Sequence, residues 1–150
     1  MTRRFVLTLI AALVLSSGDA QAACTVTAGS IGFGVYDVYE PAPTDSTGTI
    51  TFQCGSQDRD IRISITQGSS TTFSPRQLRS GSESLAYNLF LDSAFTQVWG
   101  DGTGGTSAYF NKNPQPNNAD IHLTVFSRLP AGQDVAAGSY SDTVVVTLDY

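Results

Sequence analysis

Apolar and polar residues alternate in several short runs of this chain, and a period of two is typical of β-strands with one buried face. Ile61, Ile63 and Ile65, for example, alternate with polar residues, and their β-branching favours a strand further. The pattern predicts eight strand segments, separated by turn residues. They are Cys24–Ala28, Ile31–Tyr36, Thr47–Cys54, Asp60–Gln67, Leu85–Leu91, Thr96–Trp99, Ile121–Phe126 and Tyr140–Tyr150.

The last of these runs is the strongest predicted strand, with Val144, Val146, Leu148 and Tyr150 on one face. In Leu85–Leu91 the leucines share a face, and Phe90 points to the other side, where it can cover a second small cluster. Short strands separated by glycine- and proline-containing turns predict an all-β fold, an immunoglobulin-like β-sandwich.

Composition agrees with this class. The chain has 150 residues, which suits one domain, and 14 glycines, whereas the helix-favouring lysine and glutamate are scarce. The formal net charge is −5 with 8 Lys+Arg residues. So few basic residues exclude the positive footprint that binding to a phosphate backbone requires, and we expect no nucleic-acid partner.

The first segment has the pattern of a secretory signal peptide, residues 1–22. Two arginines precede the apolar run Phe5–Leu15, and Ala20–Ala22 form a small-x-small cleavage site. The run is shorter than the roughly 20 residues of a membrane span, although an uncleaved anchor is the alternative. We therefore expect a mature domain of residues 23–150 that is exported through the periplasm to the cell surface or secreted.

Cys24 and Cys54 are the two cysteines of the chain. In an oxidising compartment they are expected to pair and to close a loop of about 30 residues. Two free thiols, or a catalytic cysteine acting with His122, are the alternatives, but no orienting residue accompanies such a pair.

Other candidate chemistry has a structural explanation in each case. His122 alternates with apolar neighbours and should face solvent. Gly100–Gly105 resembles a phosphate cradle only in its glycine spacing, and the residues after it do not read as a helix. A catalytic carboxylate pair would need the fold to bring Asp92 to Asp101. We expect no enzyme activity, no metal and no cofactor.

Seven short segments together resemble the spore coat protein U domain family, the subunits of archaic chaperone-usher pili. Their order and spacing carry the resemblance more than any one of them does. The segments are Cys24–Val26, Ile31–Asp37, Thr47–Cys54, Phe73–Leu78, Leu85–Asp92, Val98–Gly102 and Gly138–Tyr150.

This resemblance implies an immunoglobulin-like sandwich that lacks its final strand. A periplasmic pilus chaperone supplies the strand first, the outer-membrane usher assembles the fibre, and another pilus or coat subunit then donates its N-terminal segment. On this interpretation Val144, Val146, Leu148 and Tyr150 line the groove that receives the donated strand.

One departure from the family pattern affects the expected role. Cleavage after Ala22 leaves only Ala23 before Cys24, so we expect the chain to accept a strand without donating one. That favours a subunit at the distal end of a fibre, a terminator, or a freestanding surface protein. The alternative is a freestanding secreted binding module that completes its own sandwich and binds ligands with loops such as Gly100–Gly105 and Asn111–Asn118.

Overall fold

A computed structural model describes residues 24–56 and 58–150, so the predicted signal peptide lies outside the described residues. All regular elements of the described part are β-strands, and no helix there is long and apolar enough to cross a membrane. The strands are β1 Thr25–Ala28, β2 Thr44–Gln53, β3 Ile61–Ile65, β4 Arg76–Ser80, β5 Glu83–Phe90, β6 Tyr109–Asn111, β7 Ile121–Leu129 and β8 Val146–Asp149.

The strands form two sheets with antiparallel pairing. One sheet has five strands in the order β1-β2-β7-β5-β4, and the other has three in the order β6-β3-β8. The longest ladder joins β2 to β7, from Thr44 opposite Leu129 to Phe52 opposite Ile121. Antiparallel pairing between strands that are distant in sequence is typical of the Greek-key connections of β-sandwiches.

The core lies between the two sheets, as the alternation predicts. Ile50 and Phe52 face inward from β2, and all three isoleucines of β3 are at most 2% exposed. Trp99 is fully buried, and its indole Nε1 donates a 3.0 Å hydrogen bond to Ile63 O. The predicted all-β sandwich is therefore confirmed.

Three predicted strands differ from the structure. Ile31–Tyr36 forms no strand, and Thr96–Trp99 makes only isolated bridges, of Val98 to Phe90 and of Trp99 to Ser107. Within Tyr140–Tyr150 only β8 is a strand, although burial alternates from Tyr140 to Leu148. Alternation reports one-sided burial, whereas a strand also needs a neighbouring backbone, which the sequence pattern does not reveal.

The apolar alternation does not predict two of the observed strands, β4 and β6. The inward residue at the start of β4 is Arg76, whose charge hides it from a search for apolar alternation. β6 has only three residues, too few for a period to be detected.

Arg76 is fully buried and connects several parts of the sandwich. Its Nε donates to Thr66 O at 3.0 Å, Nη1 donates to Asn88 Oδ1 at 2.8 Å, and Nη2 donates to Trp99 O at 2.6 Å. Burial lowers the pKa of the guanidinium from its ordinary value. Three carbonyl-type acceptors compensate for its lost hydration, so this polar group specifies how β4, β5 and the Trp99 segment meet.

A second small cluster covers the outer face of the five-stranded sheet, as the outward position of Phe90 predicted. The Phe95 ring packs edge-on against Phe90 and Phe126, with ring centroids 5.4 Å and 6.4 Å away. The Arg128 guanidinium lies 3.7 Å from the Phe95 centroid and makes two 2.7 Å hydrogen bonds to Asp45. The contacts fix the 92–97 turn to the sheet.

Candidate functional site

An open groove of about 860 Å³ runs between two extended segments. Residues 31–38 form one wall and residues 135–142 form the other. Leu78, Leu85 and Leu129 form an apolar floor between them. A groove of this shape, long and apolar at its base, suits an extended peptide better than a compact ligand.

The backbone of both walls lacks the ladder of a sheet. In the part of the chain described, residues 30–36 and 135–140 have no assigned strand. The 31–36 segment makes no backbone–backbone hydrogen bond there, and the opposite wall makes its pair at Ser141 with Arg79. Since each peptide group is a strong donor and acceptor, two such walls offer main-chain partners to a strand laid between them.

Side chains hold the 31–38 wall in place. Ile31 packs against β2 so closely that a Cβ added at Gly48 would lie 2.5 Å from Ile31 Cγ1. The Phe33 ring packs edge-on against Tyr87, with centroids 6.0 Å apart. The Tyr36 hydroxyl donates to Pro130 O at 3.1 Å. Gly32 O also accepts a 2.8 Å hydrogen bond from the Ser46 hydroxyl. The wall is therefore anchored mainly through side chains, and among the described residues its 31–36 backbone has no backbone partner.

The 135–142 wall is fixed mainly at Asp142. Asp142 Oδ2 accepts a 2.7 Å hydrogen bond from the Tyr87 hydroxyl, and Oδ1 accepts 2.8 Å bonds from the backbone N–H of Ser69 and of Thr143. The pKa of Tyr87 is raised above its ordinary value, first by burial and then by this hydrogen bond and by the charge of Asp142. A neutral, donating Tyr87 thus holds the wall against β5.

Among the described strands, β8 has a hydrogen-bonded neighbour on one side only, because it is the outer strand of the order β6-β3-β8. Val144, Val146 and Leu148 are partly buried and pack against the core, whereas Tyr150 is 58% exposed. These four residues follow the 135–142 wall along the same extended segment. Their predicted role as residues that line the groove stays a prediction, since the groove as described is lined by 135–142 on this side.

Exposed apolar side chains concentrate beside these features. Five large hydrophobic residues are well exposed among the residues that the structure describes, and two of them, Val35 and Tyr39, at 94% and 91%, lie in or next to the first wall. Val145 and Tyr150, each 58% exposed, lie on the β8 segment. A partner that covered these side chains would remove their apolar surface from water.

The predicted disulfide is present: Cys24 and Cys54 are bonded with an S–S distance of 2.03 Å. It ties the start of β1 to the end of β2. Asp58 Oδ2 lies 3.5 Å from Cys24 Sγ and accepts a 2.8 Å hydrogen bond from the Gly55 N–H. Because both sulfurs are bonded to each other, they are not available as metal ligands alongside this carboxylate.

The remaining sequence candidates have local structural roles. His122 is exposed, as predicted, and its Nδ1 lies 2.9 Å from Thr51 Oγ1. Asp92 accepts hydrogen bonds from Thr96 and from the Gln97 N–H, and Asp101 accepts them from Thr103. Those bonds, led by the threonine hydroxyls, lower the pKa of both carboxyls. A lowered pKa stabilises the ionised form, the opposite of what a general acid needs.

Both predicted loops are formed by such local bonds. The Gly100–Gly105 turn closes through Thr106, whose hydroxyl donates to Thr103 O at 2.7 Å, and Arg62 Nη2 donates to Asp101 O. In the Asn111–Asn118 loop the Asn113 N–H donates to the Asn111 side chain at 3.0 Å. The second loop is also tied to a neighbouring segment, because the backbone N–H groups of Gln115 and Asn118 donate to Asp58 O and Cys54 O. Both loops are thus ordered connections between strands.

Fold and groove together define an all-β sandwich with an open peptide-sized cleft. A family model described as Spore Coat Protein U domain matches residues 10–147, and the chain belongs to this family. It is 30% identical over 138 residues to Protein U of Myxococcus xanthus, an alignment that covers 81% of this chain and 72% of that protein. The predicted family is therefore confirmed.

A solved structure has the same fold. It is the CsuC-CsuE chaperone-tip adhesion subunit pre-assembly complex from the archaic chaperone-usher Csu pili of Acinetobacter baumannii, with a TM-score of 0.53 and 24% identity. The match covers 85% of this chain, which spans 39% of that chain. At this identity the likeness concerns the fold, in agreement with the predicted immunoglobulin-like sandwich.

The sequence pattern does not predict the two walls of the groove. Residues 31–36 were predicted as a strand, and nothing in their alternation distinguishes a strand that has a neighbour from one that lacks it. The glycines on either side of Phe33 are the available signal, because Gly34 has a φ of 75°, a conformation that L residues rarely adopt.

Proposed function

We propose that this protein is an exported structural or tip subunit of a chaperone-usher surface fibre or coat, and that its groove accepts a β-strand from another chain. The observation that supports this most is the pair of extended walls, 31–38 and 135–142, which border a cleft with an apolar floor and have no described strand between them. Strand addition supplies main-chain hydrogen bonds for affinity and side-chain contacts for specificity.

The open edge of β8 extends this acceptor site. A strand that continues beyond the 135–142 wall would pair with β8 and pass close to Val144, Val146, Leu148 and Tyr150. On this proposal the donated strand turns an edge that would invite aggregation into an internal position of the sheet. Burial of the exposed Val35 is a further gain in apolar contact.

Family membership supports the choice of partners. The proposed partners are a periplasmic pilus chaperone, an outer-membrane usher and other pilus or coat subunits, and the proposed location is the cell surface after passage through the periplasm. No catalytic step is part of this function.

Co-expression with a candidate periplasmic chaperone tests the proposal, and a one-to-one complex is the expected product. Ala137→Trp should abolish the complex, because residue 137 lines the groove and is exposed, so that a tryptophan there would occupy the cleft. Ala94→Trp is the matched control, since Ala94 is exposed on the 92–97 turn outside the groove.

Both variants should retain the urea midpoint of the free wild-type protein, so that loss of binding is not loss of fold. A complex that survives Ala137→Trp would contradict the groove as the acceptor site. A stable lone monomer that binds neither a chaperone nor an apolar alternating peptide would favour the alternative, a freestanding binding module.

A further inference from the structure

The groove is apolar at its floor, two acidic residues line its walls, and two more lie next to the walls in sequence. Asp37 lines the first wall, and Glu40 follows it closely. Asp134 precedes the second wall, and Asp142 lies within it. Residues 29–43 and 130–145 contain no lysine or arginine. Every charged side chain that these two segments supply is thus a carboxylate.

These carboxylates are not neutralised by basic side chains. The ion pairs of the described residues join Arg62 to Asp149 and Arg128 to Asp45, and neither involves an acid of the walls. Asp142 is engaged by Tyr87 and by two backbone N–H groups, whereas Asp37, Glu40 and Asp134 are exposed. A cleft with charges of one sign above a low-dielectric floor focuses its field on whatever enters it.

We propose that the occupant of the groove is an extended segment of another polypeptide with apolar side chains at alternate positions and lysine or arginine among the positions between or beside them. This inference rests on the proposed function and names the chemistry of the donated strand. Side chains on one face of that strand fill the cleft above Leu78, Leu85 and Leu129. The basic side chains of that strand lie at the rim of the groove, close to the carboxylates of the two walls.

The acidic residues affect which strand binds more than how tightly it binds. Exposed ion pairs contribute little each, but like charges placed opposite one another disfavour the wrong partner. An acidic strand of equal apolarity would bring its carboxylates close to Asp37 in the first wall and towards Asp134 beside the second. A basic strand would instead be attracted before it docks, and its association would slow as salt rises.

Three synthetic peptides of about ten residues test this inference, a length typical of a strand. All three carry valine or isoleucine at alternate positions. The intervening positions are serine in the first peptide, and include two lysines in the second and two glutamates in the third. At low salt the lysine peptide should bind about three- to tenfold tighter than the glutamate peptide. The difference should vanish at about 1 M salt.

Neutralising one exposed carboxylate on each side of the groove provides the matched variant. Asp37→Asn with Asp134→Asn should bring the lysine-to-glutamate affinity ratio close to one, while asparagine keeps an acceptor oxygen for the Tyr39 N–H that Asp37 holds. Asp60→Asn with Asp120→Asn makes the same change of charge at exposed sites outside the groove lining. Asparagine also tolerates the positive φ of Asp60, and this control should keep the full ratio.

The serine peptide separates the two proposals. If it binds and the lysine and glutamate peptides bind equally, strand acceptance stands and the charge preference is wrong. The charge preference would also be contradicted if the control variant lowered the lysine-to-glutamate affinity ratio as much as the wall variant does. The ratio would then reflect the net charge of the protein and not the charges beside the groove. If none of the three peptides binds, both proposals fail.

Discussion

The hydroxyl of Tyr87 donates a 2.7 Å hydrogen bond to Asp142 Oδ2, and this bond joins strand β5 to one wall of the groove. Both the internal packing of the sandwich and the position of the groove wall depend on this hydrogen bond. Removing either partner is therefore expected to affect both stability and binding.

Tyr87→Phe should lower the free energy of unfolding by about 1.5 to 3 kcal/mol at neutral pH, the range for a hydrogen bond to a charged group. The ring and its contact with Phe33 remain in this variant, so the loss reports the hydroxyl. Urea unfolding measures it. Tyr39→Phe, at a 91% exposed position, is the control and should leave the midpoint unchanged.

The raised pKa of Tyr87 leads us to expect a loss of stability at high pH. Its pKa is raised above the ordinary value of 10.0, so above about pH 10 the unfolded chain releases a proton that the folded protein keeps. The contribution of this hydroxyl is fully present below that pH and declines as the pH rises further. The difference in unfolding free energy between wild type and Tyr87→Phe should therefore shrink above pH 10. A difference that stays constant across that range would contradict the assignment.

Gly68→Ala should displace the groove wall. A Cβ at this position would clash with the Asp142 carboxylate, and Gly68 has a φ of 67°. We expect a loss of about 1 to 3 kcal/mol in unfolding free energy, since both backbone strain and the displaced carboxylate contribute. Gly81→Ala is a useful comparison, because its φ of 59° is similar but its added Cβ would meet nothing within 4 Å. Equal losses in the two variants would show that the backbone, and not Asp142, causes the effect.

Arg76→Ala should destabilise the protein by about 3 to 5 kcal/mol, because two buried acceptors and one part-buried acceptor lose a charged donor. Arg79→Ala, three residues further along β4 and exposed, should change the unfolding free energy by no more than about 0.5 kcal/mol. The two urea midpoints together separate the contribution of a buried arginine to stability from that of an exposed arginine on the same strand. Similar midpoints would indicate that β4 packs differently.

Reduction of the disulfide should cost about 3 to 4 kcal/mol, the chain-entropy value for a loop that spans 30 residues. Cys24→Ser with Cys54→Ser, compared with wild type in the absence of reductant, measures this cost by urea unfolding. Wild type in strong reductant should approach the variant. Two titratable thiols in the native, non-reduced protein would contradict the pairing.

The exported protein is expected to begin at Ala23, and its mass should match residues 23–150. N-terminal sequencing or mass spectrometry of the secreted product tests the predicted cleavage site. A product that retains residues 1–22 would support the alternative, an uncleaved anchor.

Much of the sandwich could be predicted because burial on one face of a strand is a local property. The alternation of Ile61, Ile63 and Ile65 predicts β3, which pairs on both sides, and the strand pattern after Ile121 predicts β7. β4 could not be found in this way, because its buried residue is an arginine whose three acceptors belong to other segments.

The sequence by itself determined the fold class, the disulfide partners, the family and the outward position of His122, since each depends on residue type and short-range order. Only the tertiary structure decided that residues 31–36 pair with no strand of the described part of the chain, and that they face 135–142 across a groove. Tyr36 and Gln133, whose hydrogen bond helps close this site, are 97 residues apart. A strand's hydrogen-bond partner is supplied by another part of the chain, so its absence becomes visible only when the chain is folded.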